Sequence, residues 1–344
     1  MKKYIFPFFA LLLIVLAIVV IYTLTFGRQG TVKKQDNVPT NALPRLIVAG
    51  QPPSALDLAS QIIIDKGWDK EQGFVLDLRT VFYEGTLTAL TNNQVDILSM
   101  PPLSAVQYVN EQQPITFIAP GLKASCPFFV KPGNPAKSWR DLRGKKLGTT
   151  LEIGGSFTLF KVVMKAVEGI DVDKYFQVSH SATAELLPRL LRGEVDAAYG
   201  RCTEDSRAKA VEDLKFVEIG NITDVMKRGQ ALKELMLDGI VVKTEWLNKN
   251  KELVVKFRNL LYKTYDYIRT HPDEIYDNPK VQEAYGLKDL SPTVIAKTKE
   301  LAPQYYTFVE WKEQVDMQYK FLEYAKDYGL IKTLPPKEQL FFYN

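Results

Sequence analysis

The sequence predicts an α/β protein of two similar lobes, each a mostly parallel sheet flanked by helices, with a helical C-terminal tail and one apolar N-terminal segment. Three observations carry this reading. First, the chain resembles itself at an offset of one hundred residues: Leu87, Leu90, Val95 and Asp96 recur as Leu187, Leu190, Val195 and Asp196. In each copy a helical pattern ends at a turn residue, Asn93 or Gly193, and leads through Val-Asp into an apolar strand. Arg45 to Gly50 and Lys145 to Thr150 stand at the same offset, each before a small-residue stretch that opens a helix. Second, short apolar runs alternate with helical patterns, the signature of parallel β-α-β units. Third, from Glu245 onward the pattern is helical only, with breaks near Pro272, Pro292 and Gly329.

The elements follow in order. Leu46 to Ala49 is a short apolar strand, broken at Gly50-Gln-Pro-Pro-Ser54. Ser54 with Asp57 three residues on resembles a capping box, so a helix is expected from Ala55 to Lys66, stopped by Gly67. Strands are expected over 74–81, 95–99 and 115–119, with a helix from Leu87 to Asn92 between the first two and, after the strand over 95–99 ends at Met100-Pro-Pro-Leu-Ser104, a helix reaching Asn110. In the second lobe, Phe128 to Lys131 reads as a crossing strand and Ser138 to Gly144 as a short capped helix. Strands are expected over 146–150, 176–179 and 195–199, a helix over 157–167, and a return strand over 239–243.

In parallel sheets the ligand-facing loops follow the carboxyl ends of the strands. In the first lobe this selects Gln51, Pro52 and Ser54, then Tyr83, Glu84, Gly85 and Thr86, then Pro101, Pro102 and Ser104. In the second it selects Glu152, Gly154, Gly155 and Ser156, then His180, then Tyr199 and Arg201. Asp238 precedes the return strand and completes the set. A cleft between two such lobes is where a small ligand binds.

The N-terminus has its own signal. After Lys2 and Lys3, residues Ile5 to Phe26 carry no charge and are almost wholly apolar. A cleaved signal has an apolar core of about 7–15 residues, whereas a membrane span needs about 20. The run fits a span, no small-x-small cleavage site follows it, and no nearby cysteine offers a lipid attachment. The expected layout is a cytoplasmic stub (1–4), a transmembrane anchor (5–26), a polar tether (27–43), lobe one (44–122 plus 240–344) and lobe two (123–239). Positive charges on the two sides of the span nearly balance. The two-lobed body is what argues for an extracytoplasmic location at the cell membrane.

Composition narrows the function. Apolar and charged fractions of 46% and 24% are those of a globular protein. Net charge is +4 on 44 basic and 40 acidic residues, too even to suggest nucleic acid. Two histidines and two cysteines argue against a dedicated metal site, and no cofactor is expected. Cys126 and Cys202 each follow an expected strand near the lobe junction. They can pair outside the cytoplasm, but two unpaired small residues is the favoured reading. Asn221-Ile-Thr223 is the only glycosylation sequon.

Three segments carry a family resemblance: Ser138-Trp-Arg-Asp-Leu-Arg-Gly-Lys-Lys-Leu-Gly148, Lys66-Gly-Trp-Asp-Lys-Glu-Gln-Gly-Phe74, and Ala89-Leu-Thr-Asn-Asn-Gln-Val-Asp-Ile97. The chain resembles the solute-binding proteins of ABC importers for nitrate, alkanesulfonates, taurine and thiamine-pyrimidine precursors, from Pro44 to Leu330. The resemblance implies a type II periplasmic-binding fold, a monomer, a small-molecule ligand that closes the lobes, and a membrane permease that recognises the closed form. The uncleaved anchor departs from many relatives.

Within that frame, Arg201 is the candidate cationic contact to a sulfonate or carboxylate. Tyr83 is either a ligand contact or a core tyrosine. Ser54, Ser104 and Ser156 stand where a hydroxyl caps a helix, a role that coexists with ligand binding. Glu84, Glu152 and Asp238 disfavour nitrate or a simple sulfonate and suit a ligand that also bears an amine. The cysteine-rich motif of the pyrimidine-binding branch is absent. No nucleophile elbow, dinucleotide fingerprint, P-loop or zinc-protease motif is present, so an enzyme of the pyrimidine-synthesis type on the same fold is the alternative, and a sensor domain a third.

Overall fold

In the computed structural model the chain divides into a segment ending at Leu43 and a compact body from Pro44 to Asn344. The structure describes residues 43–50, 54–81, 85–152 and 154–343. The expected stub, the apolar run 5–26 and the tether as far as residue 42 lie outside the described residues. Among the described residues no helix is long and apolar enough to cross a membrane.

The strands are β1 (Arg45–Gly50), β2 (Val75–Thr80), β3 (Ile97–Met100), β4 (Ile115–Lys123), β5 (Pro127–Val130), β6 (Lys146–Thr149), β7 (Gln177–His180), β8 (Ala197–Tyr199), β9 (Val217–Asn221) and β10 (Met236–Lys243). They form two five-stranded sheets, ordered β2-β1-β3-β10-β4 and β7-β6-β8-β5-β9. The two sheets have the same plan. Arg45 stands opposite Val75 and Val48 opposite Ile97 in parallel pairs, and Lys146 opposite Gln177 and Leu147 opposite Ala197 likewise. The offset of one hundred residues is therefore a repeat of structure. Asn93 and Gly193, which end the paired helices, both have positive φ (56° and 75°), and Leu90 and Leu190 are both buried.

Each sheet is mixed rather than wholly parallel, because one strand runs against the rest: β10 in the first and β5 in the second. The chain leaves the first sheet along β4, enters the second along β5, and returns along β10. That return strand starts at Met236, earlier than the sequence pattern suggests, and pairs with β4 through several register shifts.

The principal helices are α1 (Ala55–Lys66), α2 (Thr86–Thr91), α3 (Pro102–Asn110), α4 (Gly155–Glu168), α5 (Leu186–Arg192), α6 (Glu204–Glu212), α7 (Lys251–Thr270), α8 (Pro272–Tyr276), α9 (Pro292–Tyr305) and α10 (Trp311–Asp327). Their ends follow local chemistry. The Ser54 hydroxyl accepts the Asp57 N–H at 3.1 Å, and Gly67 closes α1 in the left-handed region. Pro272 and Pro292 stand at the first positions of α8 and α9, where a missing N–H costs nothing. The segment 138–144 forms one turn of 3₁₀ helix over Trp139–Leu142, boxed by Ser138 and Asp141.

Two features escaped the sequence pattern. The strand β9 buries Ile219 and Asn221 but leaves Val217 exposed, so its burial does not follow the apolar letters. The helix α6 buries Glu204, Ser206, Ala208 and Ala210, and offers no stripe of large apolar residues.

The helices flank the junction of the lobes on two sides. On one, α3, α4 and α10 pack together in an apolar core that includes Leu103, Phe157, Phe160 and Phe321. On the other, α6 of the second half packs against α9, and α7 covers α1 and β4. The sequon lies at this junction and is not an open acceptor: Asn221 is 6% exposed and caps the helix Ile222–Met226 through the Thr223 N–H.

One expectation is corrected. Cys126 and Cys202 are joined in a disulfide across a sequence separation of 76. The antiparallel register explains it, since Phe128 opposite Tyr199 brings residue 126 level with the chain just beyond β8. Sequence spacing alone does not give that register.

Candidate functional site

The carboxyl ends of β3, β6 and β8 lead toward α3, α4 and α6 at the junction, whereas the loops after β1 and β2 lie largely outside the described residues. Of the expected ligand contacts, Gln51, Pro52, Tyr83 and Glu84 lie outside the described residues. The others are placed as follows.

On the first side, Ser54 is occupied as the cap of α1. Gly50 is held to the Val81 N–H through its carbonyl at 2.9 Å, which ties the ends of β1 and β2 together. A Cβ on Gly50 would stand 2.2 Å from Asp57 Oδ1 and 2.9 Å from a Leu78 methyl, so any larger residue there displaces one of those side chains. Burial raises the Asp57 carboxyl to about 6. Gly85 precedes α2, Thr86 is buried, and Ser104 lies half-buried in the first turn of α3 behind Pro101 and Pro102.

On the second side the three loops interlock. The His180 ring nitrogen Nδ1 lies 2.8 Å from the Thr150 carbonyl and 2.9 Å from the Thr149 hydroxyl. The carbonyl can only accept, so Nδ1 carries the hydrogen. Thr150 Oγ1 lies 2.8 Å from Ser156 Oγ, and a Cβ on Gly200 would meet Thr150 at 3.1 Å. The loops after β6, β7 and β8 thus form one connected wall. Glu152 stands exposed on it.

The two sides touch at Pro101 and Gly155. A Cβ on Gly155 would stand 3.0 Å from the Pro101 ring and 3.4 Å from the Leu237 carbonyl, so a side chain there requires the Pro101 ring to give way by a few tenths of an ångström. Gly154 is similarly confined by the Leu151 carbonyl at 2.9 Å. Asp238 sits on β10 and accepts the Leu122 N–H of β4 at 2.6 Å. It therefore clamps the crossing strands, and burial raises its carboxyl to about 6. Tyr199 is fully buried, with its ring 4.3 Å from Phe160 and 4.8 Å from Phe128. It is a packing residue.

Arg201 follows β8. One terminal nitrogen donates to Ser206 Oγ at 2.6 Å and the other to the Thr183 carbonyl at 3.3 Å. Among the described residues its buried Nε has no partner, and neither do the buried Ser181 Oγ and Asp205 Oδ1. Burial pulls the guanidinium below its usual range, while Asp205 opposes the shift. A buried polar atom without a partner costs free energy, and these three lie in the loops after β7 and β8 and in the first turn of α6. Ser181 and Asp205 were not singled out in the sequence. Their loops were named, but no spacing distinguishes them from neighbouring polar residues. Among the described residues no group of three or more His, Cys, Asp or Glu is placed to hold a metal.

Solved structures share this fold. The periplasmic aliphatic sulphonate-binding protein SsuA of Escherichia coli superposes with a TM-score of 0.66 at 13% identity, covering 86% of this chain and 96% of that one. The periplasmic sulfonate-binding protein SsuA of Methylobacillus flagellatus KT gives 0.63 at 16% identity, with 88% and 92% covered. The alkanesulfonate-binding SsuA of Xanthomonas axonopodis pv. citri, bound to MOPS, gives 0.61 at 12%, with 86% and 96% covered. These likenesses establish a two-sheet periplasmic-binding fold. No curated protein matches the chain in sequence. The NMT1/THI5-like family model matches residues 62–275, well over half of the chain, and the chain belongs to that family.

Proposed function

We propose that this protein is the solute-binding component of an ABC importer, that it is not an enzyme, and that it takes a small organic anion which also bears an amine. The observation that carries this is the connected wall of loops after β6, β7 and β8, with Arg201 Nε, Ser181 Oγ and Asp205 Oδ1 buried and unpartnered among the described residues. A guanidinium just after β8 and a carboxylate four residues on, in the first turn of α6, suit a zwitterion better than nitrate: Arg201 takes the sulfonate or carboxylate, and an acid takes the ammonium group.

The two lobes, 44–122 plus 240–344 and 123–239, close on the ligand, and a permease reads the closed form. Residues 5–26 anchor the body at the outer face of the cell membrane, and 27–43 tether it. The protein acts as a monomer. The fold of the sulfonate-binding structures and the family membership support the binding reading.

The test is a thermal-shift screen of residues 44–344 against alkanesulfonates, taurine, nitrate, carboxylates, thiamine precursors and amino acids. A ligand at one hundred times its Kd adds about 2.7 kcal/mol to the folded state. An aminosulfonate or amino acid hit that is lost in Arg201→Ala is the expected result. A hit that survives the substitution removes Arg201 from the site, and no hit from any anion overturns the assignment.

A further inference from the structure

The most unusual buried group lies just beyond Arg201. Glu204 opens α6 and is 0% exposed. Its Oε1 accepts three phenol hydroxyls, from Tyr276 at 2.7 Å, Tyr306 at 3.0 Å and Tyr285 at 3.4 Å, while Oε2 has no partner among the described residues. These tyrosines belong to the C-terminal helices, which pack through α7 onto the first sheet, whereas α6 follows β8 of the second. Further along α6, Ala208 joins the core of the C-terminal helices and Ala210 the core around Phe129 and Leu186. The helix is thus wedged between both halves, and Glu204 is its polar contact with the tyrosines. Two residues earlier, Cys202 is bonded to Cys126 at the start of β5.

We propose that Glu204 is a positioning residue that docks α6, and with it the Arg201 loop, onto the C-terminal helices, and that this dock is a proton-dependent lock, tightest when the carboxyl is neutral. The groups that face it are Asp205 on its own helix and Tyr276, Tyr285 and Tyr306 on the others. Arg207 is turned to Glu218 and Gln304, near Tyr305, and Arg201 faces Asp205. Three phenols stabilise the ion, but complete burial and the repulsion of Asp205 outweigh them and raise the carboxyl to about 7.

The sign follows. A locked carboxyl holds its proton up to about 7, whereas a released one loses it near its ordinary 4.5. Between those values release frees a proton, so opening becomes easier by about tenfold per pH unit, and the dependence flattens above about 7. The lock is independent of the ligand. Its consequence for ligand affinity rests on the binding function proposed above.

The test is hydrogen exchange on the full chain at pH 5 and pH 7, corrected for the intrinsic chemical rate. Protection of α6 relative to α4 is expected to fall at least about tenfold in the wild type. In Glu204→Gln it is expected to be independent of pH. Tyr306→Phe removes one donor to Oε1, so the pH at which the dependence flattens is expected to move upward. Constant relative protection in the wild type, or a pH dependence that persists in Glu204→Gln, overturns the lock. Neither result bears on whether a ligand binds, which the thermal-shift screen decides separately.

Discussion

Asp96 and Asp196 stand at equivalent places in the two halves and make the same pair of bonds. Oδ2 of Asp96 accepts the Ile47 N–H at 2.8 Å, and Oδ2 of Asp196 accepts the Lys146 N–H at 2.8 Å. Each aspartate also donates its own N–H to the carbonyl of the same partner, at 2.8 Å in both cases. One side chain therefore starts the parallel pairing of β1 with β3, and the other that of β6 with β8. Asp96→Ala is expected to lower unfolding stability by about 1–3 kcal/mol, because a partly buried backbone N–H loses its partner, and Asp196→Ala by about 0.5–1.5 kcal/mol, because its bond is exposed. Urea midpoints at constant m measure it. Neutral substitutions at both sites would mean that water replaces the carboxylates without cost.

The disulfide closes a loop across a separation of 76 residues. On a chain-entropy basis such a loop is worth about 4 kcal/mol. Reduction, or the paired substitution Cys126→Ala and Cys202→Ala, is expected to lower stability by that order and to weaken ligand binding through Arg201. Unchanged urea midpoints with and without reductant would show that the two sulfurs are not bonded in solution.

Gly155 and Pro101 set how closely the two sides approach. Gly155→Ala places a Cβ 3.0 Å from the Pro101 ring. A loss of about 1–3 kcal/mol is expected from the overpacking. Pro101→Ala in the same chain is expected to restore part of it, and additive losses in the double-mutant cycle would deny the contact.

Asp57 and Asp238 are both raised to about 6 by burial. A carboxyl whose folded value is raised is easier to accommodate as the neutral acid. Stability is therefore expected to be highest near pH 4, to fall as pH rises through about 6, and, with the Glu204 term, to level off only above about 7. Asp57→Asn is expected to raise the melting temperature at pH 7.5 and to leave it nearly unchanged at pH 4, as read by calorimetry. A lower melting temperature at pH 7.5 would mean that the Asp57 carboxylate has a favourable partner.

The repeated unit was legible because its signals are local. Ser54 and Asp57 start α1, Gly67 stops it, and Asn93 and Gly193 adopt the same backbone conformation for the same reason. The loops at the strand ends were also legible, since topology follows from alternating strands and helices. What the sequence does not contain is register and distant pairing. The disulfide depends on Phe128 facing Tyr199. The Glu204 cage draws on residues up to 102 positions away. Tyr199 read as a site residue because it ends a strand, but whether such a residue faces the loops or the core depends on which neighbours pack against it. Asp205 and Ser181 are ordinary polar letters until the fold buries them.

The sulfur–sulfur bond also constrains how the protein is made. The chain between Cys126 and Cys202 contains β5, β6, β7 and β8, so oxidation turns most of the second half into a covalent ring. A ring cannot be threaded as a single strand through a narrow protein-conducting pore. With the extracytoplasmic location proposed above, the bond therefore forms after both cysteines have crossed the membrane. Trapping free thiols in intact cells before lysis would show whether the ring is closed there.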